Sequence, residues 1–248
     1  MEVHAHTHTA ADSDSHRGRK KWTHYFWEFL MLFLAVFCGF IAENFREHYV
    51  EHKRAVSLAE SLYNDICSDT ATLHTIADFT INKMEHIDSL INDLHKTPGD
   101  WNDTTLSRHI FWLVRFQVFE RTQSTFDQLK NSGSLRYFKQ DLVKWLNAYD
   151  VTAQEIKLRE DGEYNVLTQR VVPLSMQAIN FEIVNAYSFN EPFTHEVYVK
   201  IRDRDKADYF ISEAAGIKII RTRLKTQYEK LERQAVEIID YLKIKYHL

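Results

Sequence analysis

Apolar residues follow three different patterns along this chain of 248 residues, and each predicts a different kind of helix. Near the start, Phe29 to Ala42 carries no charge, and Trp22, Tyr25, Phe26 and Trp27 precede it. Residues 22–42 thereby supply roughly the 20 positions that a hydrocarbon core requires, with an aromatic belt at the entry. From Phe45 onward, apolar positions recur in steps of four and three. The register runs Phe45, Tyr49, His52, Val56, Ala59, Tyr63, Ile66, Thr70, Leu73, Ala77, Thr80, Met84, Ile87, Ile91, Leu94. It predicts a long juxtamembrane helix over 43–96, with a packing seam marked by Phe45, Tyr49, Val56, Ile66, Leu73, Met84, Ile87 and Ile91. Pro98-Gly99 stops it. The third pattern, Phe210, Ala214, Ile217, Arg221, Leu224, Tyr228, Leu231, Ala235, Ile238 and Leu242, predicts a second long helix over 207–246, laid antiparallel along the first.

The middle of the chain is less regular. Leu106 to Phe119 is apolar nearly all round and too short to span a membrane, so it predicts a buried core helix. Ser124 and Ser134 are candidate N-caps, with Gly133 closing the first of two helices. Leu135, Phe138, Leu142, Trp145, Tyr149, Ile156, Leu167 and Val171 sustain helical spacing, with a weak point at Gly162 and a stop at Pro173. Asn190-Glu191-Pro192 marks a turn, and His195 to Ile201 fits a short strand or a helix start. The expected fold is all-α: a single N-terminal transmembrane helix continuing into a long juxtamembrane helix, packed in an elongated helical bundle. The expected domains are a disordered tail (1–21), the span (22–42) and a helical domain (43–248).

Composition narrows the class. With 6 Gly, 3 Pro and 2 Cys, the chain lacks the turn residues of a β-sandwich and the cysteines of a disulfide scaffold. A net charge of -4 gives no footprint for nucleic acid, and no such partner is expected. Processing sites fit poorly. A signal cleavage after Ala42 would place Phe40 at the third position back, and Phe37 precedes Cys38 where a lipoprotein needs a small residue. The span therefore reads as an uncleaved anchor in a lipid bilayer. Arg17, Arg19, Lys20 and Lys21 form the tightest basic cluster, so the N-terminus is expected in the cytoplasm and residues 43–248 outside it.

One face of the span carries Glu28, Ala35, Gly39 and Ala42. Ala35 and Gly39 are four apart, a spacing that lets two backbones approach closely, whereas Phe26, Phe29, Phe33, Phe37 and Phe40 form a lipid-facing stripe. Glu28 reads as a residue that snorkels to the headgroups, with a polar contact between spans as the alternative. His4, His6, His8 and His16 read as a solvated tail rather than a metal site, since nothing nearby supplies a rigid second shell. His48-Tyr49-Val50-Glu51-His52 matches the letters of an inverted zinc-protease motif, yet it falls on a charged helix with no pocket implied. No phosphate-binding, dinucleotide or C-x-x-C motif occurs. Cys38 and Cys67 lack a local base. The stretch Lys218, Arg221, Arg223, Lys225 reads as a solvated helix face.

The residues from Lys20 to Glu43, and again from Ser124 to Leu135 (STFDQLKNSGSL), resemble an uncharacterised family of single-span membrane proteins associated with Bacteroidota. The resemblance implies one N-terminal anchor, a long juxtamembrane helix and a cell-envelope location, and it implies no activity. The expected function is that of a non-enzymatic scaffold or accessory subunit in the bacterial inner membrane. It would need no cofactor and would contact a second copy of itself or an envelope protein. The alternative is an extracytoplasmic ligand-binding or sensory bundle.

Overall fold

A computed structural model of the chain describes residues 17–180, 186–188 and 197–248. Residues 1–16 of the expected tail, with its four histidines, the 190–192 turn and His195 lie outside the described residues. The chain divides into two compact units, Met1–Arg54 and Ala55–Leu248. Their division falls at Ala55, the first buried side chain among the described residues.

The first helix, α1, is Arg17–Leu94, so helix begins ahead of the expected boundary at 22. In the first unit it contains a window of mean hydropathy 2.0, none of it buried, and is long and apolar enough to cross a membrane. The phenylalanine stripe is ordered: Phe29 and Phe33 stack at 6.4 Å between centroids, and Phe33 and Phe37 at 5.8 Å. Glu28, Ala35, Gly39 and Ala42 are exposed, as are Phe45 and Tyr49 of the expected seam.

The second unit is an all-α bundle. Its further helices are α2 (Asp103–Val114), α3 (Ser124–Asn131), α4 (Gln140–Val166), α5 (Val172–Ala178) and α6 (Arg204–Tyr246). Two apolar clusters show how they run. One joins Ala59–Ile76 of α1, Leu142–Ile156 of α4 and Leu224–Leu242 of α6; the other joins Ile87–Leu94, α2, Leu167–Ile179 and Ala207–Ile217. Helix α4 is therefore parallel to α1, and α6 is antiparallel to both. All ten positions of the expected C-terminal register are buried.

Along α1 the expected register is half right. Ala59, Ile66, Leu73, Thr80, Ile87 and Leu94 are buried, but Val56, Tyr63, Thr70, Ala77, Met84 and Ile91 are only half-buried. The second interior row lies one residue earlier, at Ala55, Leu62, Asp69, Ile76, Lys83 and Leu90. Asp69 and Lys83 break that row's apolar reading, which hides it from a hydropathy pattern.

Other boundaries shift for local reasons. Helix α1 ends at Leu94, where Arg204 Nη1 of α6 donates to the Leu94 carbonyl at 2.9 Å. Helix α2 stops at Val114, not Phe119, and residues 115–123 carry no regular structure. Ser124 is the first residue of α3 rather than its cap; the carboxylate of Asp65 on α1 takes the Thr125 N–H at 3.2 Å instead. Gly162 leaves α4 unbroken, and Pro173 does not stop the helix. The chain widens into a π-turn over Leu167–Val171, and Pro173 then sits at the start of α5, where a missing N–H is tolerated. Residues 197–201 are pinned to the end of α5 by an isolated antiparallel bridge between Ile179 and Val199.

Gly133 occupies the left-handed region at φ 66°, and a Cβ there would meet no atom within 4 Å. Gly133→Ala should therefore lower stability by about 1–2 kcal/mol through backbone strain alone. A shift of the urea midpoint, followed by circular dichroism on the detergent-solubilised chain, checks this.

Candidate functional site

The interior of the second unit holds charged side chains, and they converge on the irregular segment 115–123. A segment between helices has no ladder to satisfy its backbone, and each unpaired buried N–H or C=O is costly. Lys83 Nζ donates to the Arg115 carbonyl at 2.6 Å and to Glu163 Oε1 at 2.9 Å. Arg221 Nη2 reaches the Gln117 carbonyl at 3.4 Å, and its Nε donates to the Glu163 carboxylate at 2.7 Å. Cations thus take the carbonyls.

Carboxylates take the amides. Phe119 N–H donates to Glu160 Oε1 at 2.9 Å, and Thr122 N–H donates to Asp69 Oδ1 at 2.7 Å. Two tyrosines complete the carboxylates: Tyr228 donates to Glu160 at 2.6 Å and Tyr149 to Asp69 at 2.8 Å. Each of the three long helices contributes: Asp69 and Lys83 from α1, Glu160 and Glu163 from α4, Arg221 from α6.

Burial sets the electrostatics. Lys83, Glu163 and Arg221 have side chains with 0% exposure. Desolvation pushes the Lys83 ammonium down to about 8, with the Glu163 charge and hydrogen bond opposing it. Lys83 is thus still mainly charged at neutral pH, and one carboxylate serves two cations. Burial raises both Asp69 and Glu160, while their tyrosine and backbone donors pull the other way. Burial, then the facing carboxylates, raise Tyr149 and Tyr228, which keeps both hydroxyls as donors.

The segment's own cations lie against rings, Arg115 exposed and the Arg121 side chain nearly buried. Arg115 lies 4.6 Å from the Trp112 centroid, and Arg121 pairs with Asp150 while lying 5.4 Å from the Tyr149 ring. Beside this, His86 of α1 stacks on Trp112 at 4.8 Å and meets His109 of α2, Nδ1 to Nδ1, at 2.8 Å.

The expected sites map unevenly. Ile66, Leu73 and Ile87 lie in the core, Val56, Met84 and Ile91 flank it, and the transmembrane face sits in the first unit. Arg221 is not on a solvated face: it is fully buried, because Glu163 and the Gln117 carbonyl both need its fork. Its place inside an otherwise apolar register was the available signal. His48 and His52 are exposed. Among the described residues, no three His, Cys, Asp or Glu side chains converge to hold a metal ion. Asp69, Lys83, Glu160 and Glu163 carried no sequence signal beyond their interruption of apolar rows. Known protein families, curated proteins and solved structures provide no match to the chain.

Glu163→Gln leaves two buried cations without a carboxylate and should cost about 3–5 kcal/mol, read as a drop in the urea midpoint. A loss under about 1 kcal/mol would show that the site rehydrates instead.

The histidine pair predicts a pH dependence. Burial lowers His86, followed by the charges of His109 and Arg108; burial also lowers His109, with Asp93 opposing. The folded pair stays neutral where the unfolded chain, nearer the ordinary 6.5, takes up protons. Its contribution is therefore complete above that value and is lost as pH falls below it. The melting temperature should fall between about pH 7.5 and 5.5, and less steeply in His86→Gln. Asp69 and Glu160 act in the opposite sense in both proteins, so the difference between the two curves isolates the pair.

Proposed function

We propose that this chain is a non-enzymatic, single-pass protein of the bacterial inner membrane that acts as a scaffold or accessory subunit through protein contacts. The observation that carries the reading is the apolar window of α1, of mean hydropathy 2.0 with none of it buried. An apolar helix with no protein cover needs lipid or another helix around it. The basic cluster ahead of Trp22 favours a cytoplasmic N-terminus and a periplasmic 43–248.

Contact through protein rather than catalysis is supported by how the second unit uses its charges. Lys83, Glu163, Glu160 and Arg221 are turned toward one another and toward the backbone of 115–119, with Arg221 Nη1 the buried donor left without a partner among the described residues. Chemistry would require such groups to face a substrate. Ala35 and Gly39 supply the close-approach face for a second copy, since a Cβ added at Gly39 meets nothing within 4 Å of its own chain.

Gly39→Leu should lower the detergent-solubilised oligomer mass, measured by light scattering. An unchanged mass would remove the span from the interface. A C-terminal alkaline phosphatase fusion should be active under the proposed orientation; an inactive fusion would invert the topology.

A further inference from the structure

A hollow lies beside the π-turn, between Leu167–Val171 and the first turns of α6, with a volume of about 630 Å³. That volume falls in the range of small-molecule sites. Its origin is local. The π-turn widens the helix, and Pro173 removes a donor from the ladder just beyond it. The chain returns alongside, held by the Lys200 N–H donating to the Ala178 carbonyl at 2.6 Å, and the space between stays open.

Three cations line this space: Arg170 from the π-turn, Lys200 from the returning segment and Lys206 from α6. Arg170 is fixed in place. It pairs with Glu213, a buried carboxylate, and the Tyr209 hydroxyl is within its hydrogen-bonding reach. Lys206 has only an exposed pair with Asp203 at 3.6 Å, of the kind that contributes little. Among the described residues, no ion pair holds Lys200. Pro173, Leu174 and Ile201 add apolar surface to the same lining.

We infer that this cavity binds a small, water-soluble organic oxyanion, a phosphate or carboxylate joined to an apolar body of a few carbons. Arg170 presents a planar fork already oriented by Glu213, and the two lysines add charge without a fixed geometry. Pro173, Leu174 and Ile201 cover the body. The inference goes beyond the scaffold role and does not depend on it, because all the residues involved lie within the second unit.

The test is isothermal calorimetry on the full chain in dodecyl maltoside, with phenyl phosphate as probe and inorganic phosphate and benzyl alcohol as its two halves. Phenyl phosphate should bind saturably and more tightly than either half. Lys200→Glu with Lys206→Glu should weaken it at least roughly tenfold. Both side chains are exposed, so this variant should keep the parent's unfolding temperature. Lys200→Gln with Lys206→Gln, which removes charge without reversing it, should fall between the two. Absence of saturable binding, equal binding by the charge-reversed protein, or equal binding of benzyl alcohol would each overturn the site.

Discussion

The second unit depends on a polypeptide segment that has no secondary structure and whose backbone is held by buried charges, although only Phe119 within it is itself buried. Between α2 and α3 the backbone of 115–123 passes among the helices with no neighbouring strand to share hydrogen bonds. The helices answer with charged side chains. Lys83 and Arg221 reach its carbonyls, and Glu160 and Asp69 reach its amides. Opposite charges then neutralise one another through Glu163, which keeps the desolvation penalty tolerable.

This arrangement also explains which parts of the fold were legible from residue order. Helix α6 interrupts its apolar register with a charge only once, at Arg221, and its ten positions could be read directly. Helix α1 places Asp69 and Lys83 in the same interior row, and the apolar residues beside them, Met84 among them, drew the reading one position round the helix. The error is informative. A row that looks apolar only when shifted by one residue marks a row containing buried charge. Pro173 misled for a different reason: a proline stops a helix only when the preceding turn cannot widen, and Leu167–Val171 does widen. Ser124 looked like a cap because its real cap, Asp65, lies far away in sequence and close only in the fold.

The two units obey different solvent rules along one helical element. From Trp22 to Ala42 apolar side chains are exposed all round α1, whereas beyond Ala55 one stripe is buried and the exposed positions are mostly polar. A helix in water with the first pattern would expose a continuous apolar surface, which soluble monomers avoid. The change of pattern therefore reports a change of surroundings. The intervening turns carry ion pairs such as Arg46 to Glu43 at 2.5 Å, suited to an aqueous boundary.

Cations in the second unit meet two fates, and the contrast separates architecture from recognition. Lys83 and Arg221 are fully buried and hold the chain's own carbonyls, so removing their shared carboxylate strikes at folding. Lys200 and Lys206 are exposed beside a hollow, where the fold asks little of their charge. Arg170 stands between these cases: Glu213 fixes its direction, yet more than half of its side chain remains accessible. A guanidinium that is oriented but not enclosed is arranged for something outside the chain. Arg170 stands in the π-turn over Leu167–Val171, and its tie to Glu213 of α6 sets its direction across that turn.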